Sequence, residues 1–245
     1  MKKIRVYLFQ KKTFYFIGAA ALILLIFFIS MWVYLTSKAV NFTDPHSGII
    51  VVDPGHGGID GGTGRDGILE KEITLSISKK LKAHLEGRGY QIVMTRDEDV
   101  SLDSLNDSST SRHQRDLNAR ADIINHHHAQ LFLSIHVNCN FNRPSADGAL
   151  VLYNERFMEN KVLAYSVQRA LNAMEVNGIK RTVHDPQPAK FFLLNHSEIP
   201  GVIVETAFIS NDTEYRLLTG ENFREQLAKA IADGVENYLR EIGDS

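Results

Sequence analysis

From Gly48 to the C-terminus the apolar residues follow two alternating spacings. Short unbroken runs predict strands at Ile49 to Val52, Tyr90 to Thr95, Leu131 to Val137, Ala149 to Tyr153, Phe191 to Leu194 and Val202 to Thr206. Each has the length of a strand and is too short for a stable helix. Between them the spacing turns helical. Leu69, Ile73, Ile77, Leu81 and Leu85 recur every four residues and predict an amphipathic helix that stops at Gly87 and Gly89. Further helices are expected through Arg120 and Asn125, over 159–176 and over about 222–240. The Asp- and Ser-rich segment Asp97 to Ser111, and 182–190 with its two prolines, read as loops. Strand and helix in alternation imply an α/β fold: a single domain with a largely parallel mixed sheet flanked by helices. The strand at Ala149 is expected to be antiparallel and at an edge, because only a short polar connection precedes it.

The N-terminal pattern is different. Thr13 to Ser37 is a stretch of 25 uncharged, mostly apolar residues, and about 20 suffice to cross a bilayer. Lys2, Lys3, Arg5, Lys11 and Lys12 precede it, which predicts an N-terminus held in the cytoplasm and a chain exported beyond it. The expected organisation is a basic N-terminus at 1–12, a transmembrane anchor at 13–37, a linker at 38–47 and a catalytic domain at 48–245. The rival is a cleaved signal peptide and a secreted protein, whose apolar core would be shorter. Residues 1–38 hold six of the 27 basic residues and none of the 29 acidic ones. The rest of the chain therefore carries 21 positive and 29 negative charges, a net of −8. That balance is a poor electrostatic match for nucleic acid, so no nucleic-acid partner is expected. Cys139 is the one cysteine, so no internal disulfide and no cysteine-based zinc knuckle can form.

Candidate chemistry collects where predicted strands end. In Gly48 to Gly62, GIIVVDPGHGGIDGG, glycines flank His56 just past the first strand, and open α/β sheets place their sites at that carboxyl edge. His136 lies near the end of a strand that is apolar on both faces and hence central. Glu205 closes the apolar run Gly201 to Val204, where a carboxylate must be paired, protonated or metal-bound. Two histidines and a carboxylate make a catalytic zinc set with an open position for water. Glu205, Glu70 and Glu72 are the carboxylate candidates. At ~100° per residue Glu70 lies ~60° from Ile73, on the border of the buried face, and Glu72 ~100° away on the other side. Three other patterns carry less. Gly62 to Gly67 fits GxGxxG but lies ten residues beyond its strand. His126, His127 and His128 sit at a helix end, where histidines complement the dipole. Cys139 reads as a small buried residue.

The ordered set DPGHGG, EK opening a helix, SIHVN and VETAFISN, together with Met94-Thr95-Arg96, Asp99, Arg120 and Asn125, resembles the zinc-dependent N-acetylmuramoyl-L-alanine amidases of the Amidase_3 family, from about Ile49 to Tyr238. The resemblance implies that His56, Glu70 and His136 bind zinc and that Glu205 is the catalytic acid/base. The implied reaction is hydrolysis of the amide joining N-acetylmuramic acid to the L-alanine of peptidoglycan stem peptides. Motif order and the anchored domain resemble the CwlD type of spore-forming bacteria, which prepares cortex peptidoglycan for muramic-δ-lactam formation. Thr206-Ala207 stands where that family has Leu-Gly, and Leu194-Asn195 where it has Leu-Arg. Two rivals remain at this point: a peptidoglycan-binding module that lost hydrolysis, and an enzyme whose site an activating partner protein completes.

Overall fold

The structure is a computed structural model that describes residues 24–31, 48–176 and 178–243. The elements run β1 (Ile49–Pro54), β2 (Gly64–Arg65), β3 (Ile68–Leu69), α1 (Glu70–Glu86), β4 (Gln91–Met94), α2 (Arg112–His126), β5 (Leu131–Asn138) and β6 (Leu150–Tyr153). After them come α3 (Met158–Asn172), β7 (Glu175–Val176), β8 (Ile179–Lys180), β9 (Gln187–Pro188), α4 (Phe192–His196), β10 (Gly201–Phe208), α5 (Asp212–Leu218) and α6 (Glu221–Gly243). Six strands form one sheet in the order β4-β1-β5-β10-β6-β9. The first four are mutually parallel, while β6 runs antiparallel to β10 and parallel to β9.

Alternation along the central strands sorts their side chains into two layers. Ile50, Val52, Leu133, Ile135, Val202 and Val204 pack with α1, α3 and α6, where Ile73, Ile77, Leu81 and Leu85 form the buried stripe of α1. Val51, Phe132 and Ile203 face the other way, against Ile124 of α2 and Leu193 and Leu194 of α4. Burying each such side chain contributes roughly 1.5–3 kcal/mol. A one-residue slip would exchange the two faces, so the register is strongly fixed. The same parity puts Asp53, Ser134, His136 and Glu205 on the α2/α4 face, with Asp53 opposite Ser134 and Glu205 opposite His136.

Three expectations are corrected. Phe191 to Leu194 is not a strand: Phe192–His196 is a short helix, in which the His196 ring stacks on that of Phe192. The strand β6 is antiparallel as expected but is not the edge, because Gln187 and Pro188 pair alongside it inside the expected loop. Pro188 is suited to that place, since proline is tolerated on edge strands. The helix expected over 159–176 ends at Asn172, and its last expected residues belong to the β7–β8 hairpin. The anchor expected at 13–37 lies outside the described residues except for 24–31, which are helical with exposed apolar side chains. Among the described residues no helix is long and apolar enough to cross a membrane. The segments expected at 1–12 and 38–47 lie outside the described residues.

Candidate active site

The turn after β1 is built to carry a histidine in an unfavourable conformation. Gly55 N–H donates to the Ile135 carbonyl at 2.9 Å, holding the chain beside β5. A Cβ on Gly55 would lie 2.4 Å from the His136 ring, so only glycine fits. His56 follows with φ 61°, a left-handed geometry costing about 1–3 kcal/mol that must be imposed by its surroundings. Two arginines impose it. Arg120 donates to the carbonyls of Pro54 (2.8 Å) and His56 (2.6 Å). Arg96 donates to those of Pro54 (3.0 Å) and Gly55 (2.9 Å) and ties the turn to Lys71 O of α1 (3.0 Å). Arg120 is itself fixed by Asp53 and Asp116, both at 2.7 Å. Burial would raise the Asp53 carboxyl. The Arg120 guanidinium, with the Ser134 and Thr95 hydroxyls, outweighs burial and holds it below the usual carboxylate range.

Glu70 enters this framework as the first residue of α1. Its N–H donates to Thr63 O at 2.8 Å, which satisfies one of the amides a helix start leaves open. The side chain then bridges the two histidines. Its Oε2 lies 3.2 Å from His56 Nε2 and its Oε1 3.1 Å from His136 Nδ1. Backbone N–H groups of Thr63 and Val137 donate to the same two oxygens at 3.0 Å each. Gly62, at φ 66°, admits this approach, since a Cβ there would come within 2.6 Å of Glu70 Oε2. Asp60 holds the far nitrogen of His56, Nδ1, at 2.9 Å. Burial opposes the charged form of His56, but Glu70 and then Asp60 outweigh it and raise the imidazole to about 9. Burial likewise opposes charge on Glu70, and the two imidazoles pull its carboxyl well below the usual range. The two shifts together favour an ion pair between a protonated His56 and an ionised Glu70.

Among the described residues, the three-donor group able to hold a metal is His56, Glu70 and His136, with one ligand atom of each within 4.8 Å of the others. The donor set fits a divalent ion of the zinc type. Glu205 lies opposite His136 on the neighbouring strand, and its Oε2 is sealed from solvent without a hydrogen-bond partner. Burial, reinforced by the Glu70 carboxylate and opposed by the imidazoles, pushes the Glu205 carboxyl up to about 7. All four side chains line one cleft of about 420 Å³, whose lining also includes Phe191, Phe192, Leu193, Asp60 and His113.

Residues 50–237 match the N-acetylmuramoyl-L-alanine amidase family, Amidase_3. The chain belongs to that family. This amidase is 34% identical over 206 residues to the germination-specific N-acetylmuramoyl-L-alanine amidase of Bacillus subtilis, covering 82% of this chain and 84% of the relative. It is 32% identical over 233 residues to the amidase AmiA of Escherichia coli, covering 78% and 76%. Among solved structures, the CwlD amidase of Clostridioides difficile, in complex with the GerS lipoprotein, superposes with a TM-score of 0.72 at 32% identity, covering 79% of this chain and 99% of that one.

The other candidates join no metal-binding group among the described residues. Glu72 is exposed on the outer side of α1. The rings of His126 and His127 meet edge to face, and among the described residues neither belongs to a three-donor group. Most of GxGxxG lies in the β2–β3 hairpin, where Asp66 and Gly67, both with positive φ, form an Asp-Gly turn. Cys139 is partly exposed at the cleft rather than buried. Sequence reasoning missed Asp60, which the Gly57–Asp60 bridge of the turn brings back to the His56 ring.

Proposed function

We propose that this amidase binds zinc through His56, Glu70 and His136, and that Glu205 serves as acid/base in cleaving the amide between the lactyl group of N-acetylmuramic acid and L-alanine. The observation that carries this reading is a three-donor cluster facing an unpartnered carboxylate on the adjacent strand. Zinc at such a site polarises a carbonyl and lowers the pKa of water. Asp60 orients the His56 ring through its far nitrogen, as outer partners of ligating histidines do. Glu205, poised near neutrality, takes a proton from the attacking water and returns it to the alanine nitrogen as the C–N bond breaks. The products are a lactyl carboxylate and a free amine on the stem peptide. Release of that amine from cortex muropeptides should stop on chelation and resume with zinc. Cleavage that persists after complete metal removal would overturn the metal's role.

The biological setting extends the same reading. Similarity to the germination-specific B. subtilis enzyme and to C. difficile CwlD supports spore-cortex peptidoglycan as the substrate, ahead of muramic-δ-lactam formation. The GerS complex of the latter supports an activating partner protein here too. The basic flank and uncharged stretch at 13–37 support a membrane anchor with the catalytic domain outside the cytoplasm. Protease added to spheroplasts should digest the catalytic domain. Full protection, or a soluble exported form beginning near residue 40, would contradict the anchored arrangement.

A further inference from the structure

We propose that the buried Arg181–Glu214 ion pair positions Glu205 for catalysis, an inference that rests on reading Glu205 as the acid/base. β10 is paired on both sides at Glu205, with His136 of β5 and Leu150 of β6. Directly afterwards its register slips. The next parallel pair is Phe208 with Asn138, so Thr206 and Ala207 occupy the stretch that β5 spans with Val137 alone. Such an irregularity leaves buried peptide groups without ladder partners, and these must be satisfied elsewhere.

The ion pair satisfies them. Arg181 Nη2 donates to the Thr206 carbonyl at 2.7 Å, and Phe208 N–H donates to Glu214 Oε2 at 2.6 Å. Glu214 Oε1 accepts from Gly148 N–H at 3.0 Å, just ahead of β6, and from Arg181 Nε at 2.7 Å. On the other side, the Thr206 hydroxyl donates to the His136 carbonyl at 2.9 Å. One charge pair therefore grips the bulge after Glu205 and the approach to β6, while Thr206 carries the link to the strand of His136. Its side chains are only 7% and 3% exposed. A buried pair contributes little net stability compared with an apolar replacement, so its value here lies in the geometry it enforces. An error of ~1 Å in a reacting group can cost ~10²-fold in rate.

The test uses the full-length, metal-loaded enzyme, assayed well below its melting temperature. Glu214→Gln should lower kcat on muropeptide about tenfold, with KM and metal content unchanged, and should shift the pH at which kcat is half-maximal. Because that variant leaves Arg181 buried and unpaired, it can fail to fold. The double variant Arg181→Met/Glu214→Leu removes both charges and should fold while staying about tenfold slow. A kcat within twofold of the wild type in either folded, metal-loaded variant, with only the melting temperature changed, overturns the proposal. Glu205→Gln in the same assay separates the two ideas. If it is active, the acid/base reading fails; if it is inactive while the pair variants are fast, only the positioning role fails.

Discussion

Glu70 and Glu205 stand in one cleft, yet their surroundings are opposite. The α1 end saturates its carboxylate: two imidazoles and two backbone amides converge on Glu70. The β10 end leaves Glu205 Oε2 with no partner at all. One carboxyl is driven well below its ordinary range and the other raised to about 7. Residue type is identical, so environment alone separates a group fit to hold a cation from one fit to move a proton.

The largest effect expected from breaking this contrast is at the saturated end. Glu70→Ala should weaken metal affinity by more than ~100-fold, beyond the ~10–100-fold typical of losing an outer partner. Competition with a chromophoric chelator measures it. Retained affinity in Glu70→Ala, with loss in the exposed Glu72→Ala, would show that the wrong carboxylate of the first turn of α1 was chosen.

Much of this contrast was legible in the chain. The carboxyl-edge rule brought His56, His136 and Glu205 to one place, and the helical angle put Glu70 nearer the buried face than Glu72, while the separate roles of Glu70 and Glu205 came from the family resemblance. What local pattern could not show is how the turn is held. Arg120 reaches Asp53 across 67 residues and Arg181 reaches Glu214 across 33, pairings that only the folded topology creates. Phe191 to Leu194 misled for a related reason. Leu193 and Leu194 are buried against the sheet while Phe191 and Phe192 remain partly exposed at the cleft. Four apolar residues in a row thus looked like a strand buried on both faces, whereas the place beside β6 is filled by Gln187 and Pro188.

A smaller effect sharpens the unsaturated end. In the metal-free protein Glu205 titrates near 7, against 4.5 for an ordinary glutamate. Between those values the folded state keeps a proton that the unfolded state has released. Stability therefore falls as pH rises through the window, by at most about 3 kcal/mol. Asp53, depressed by Arg120, has the opposite sign: its contribution is present above the ordinary carboxylate range and is lost in acid. Metal-free wild type and Glu205→Gln should accordingly melt closer together at pH 5 than at pH 8, where the variant should be the more stable. An equal difference at both values would mean that the Glu205 carboxylate is ionised and solvated throughout.

The division of labour between the two carboxylates is tested most directly in Glu205→Gln, by measuring metal content and amide cleavage on the same preparation. The variant keeps the shape of the side chain and removes its capacity to carry a proton. Cleavage should fall by ~10²–10⁴-fold, the usual worth of general acid–base catalysis, with metal content unchanged. Loss of metal would make Glu205 a ligand, and near-normal turnover would remove it from the reaction altogether.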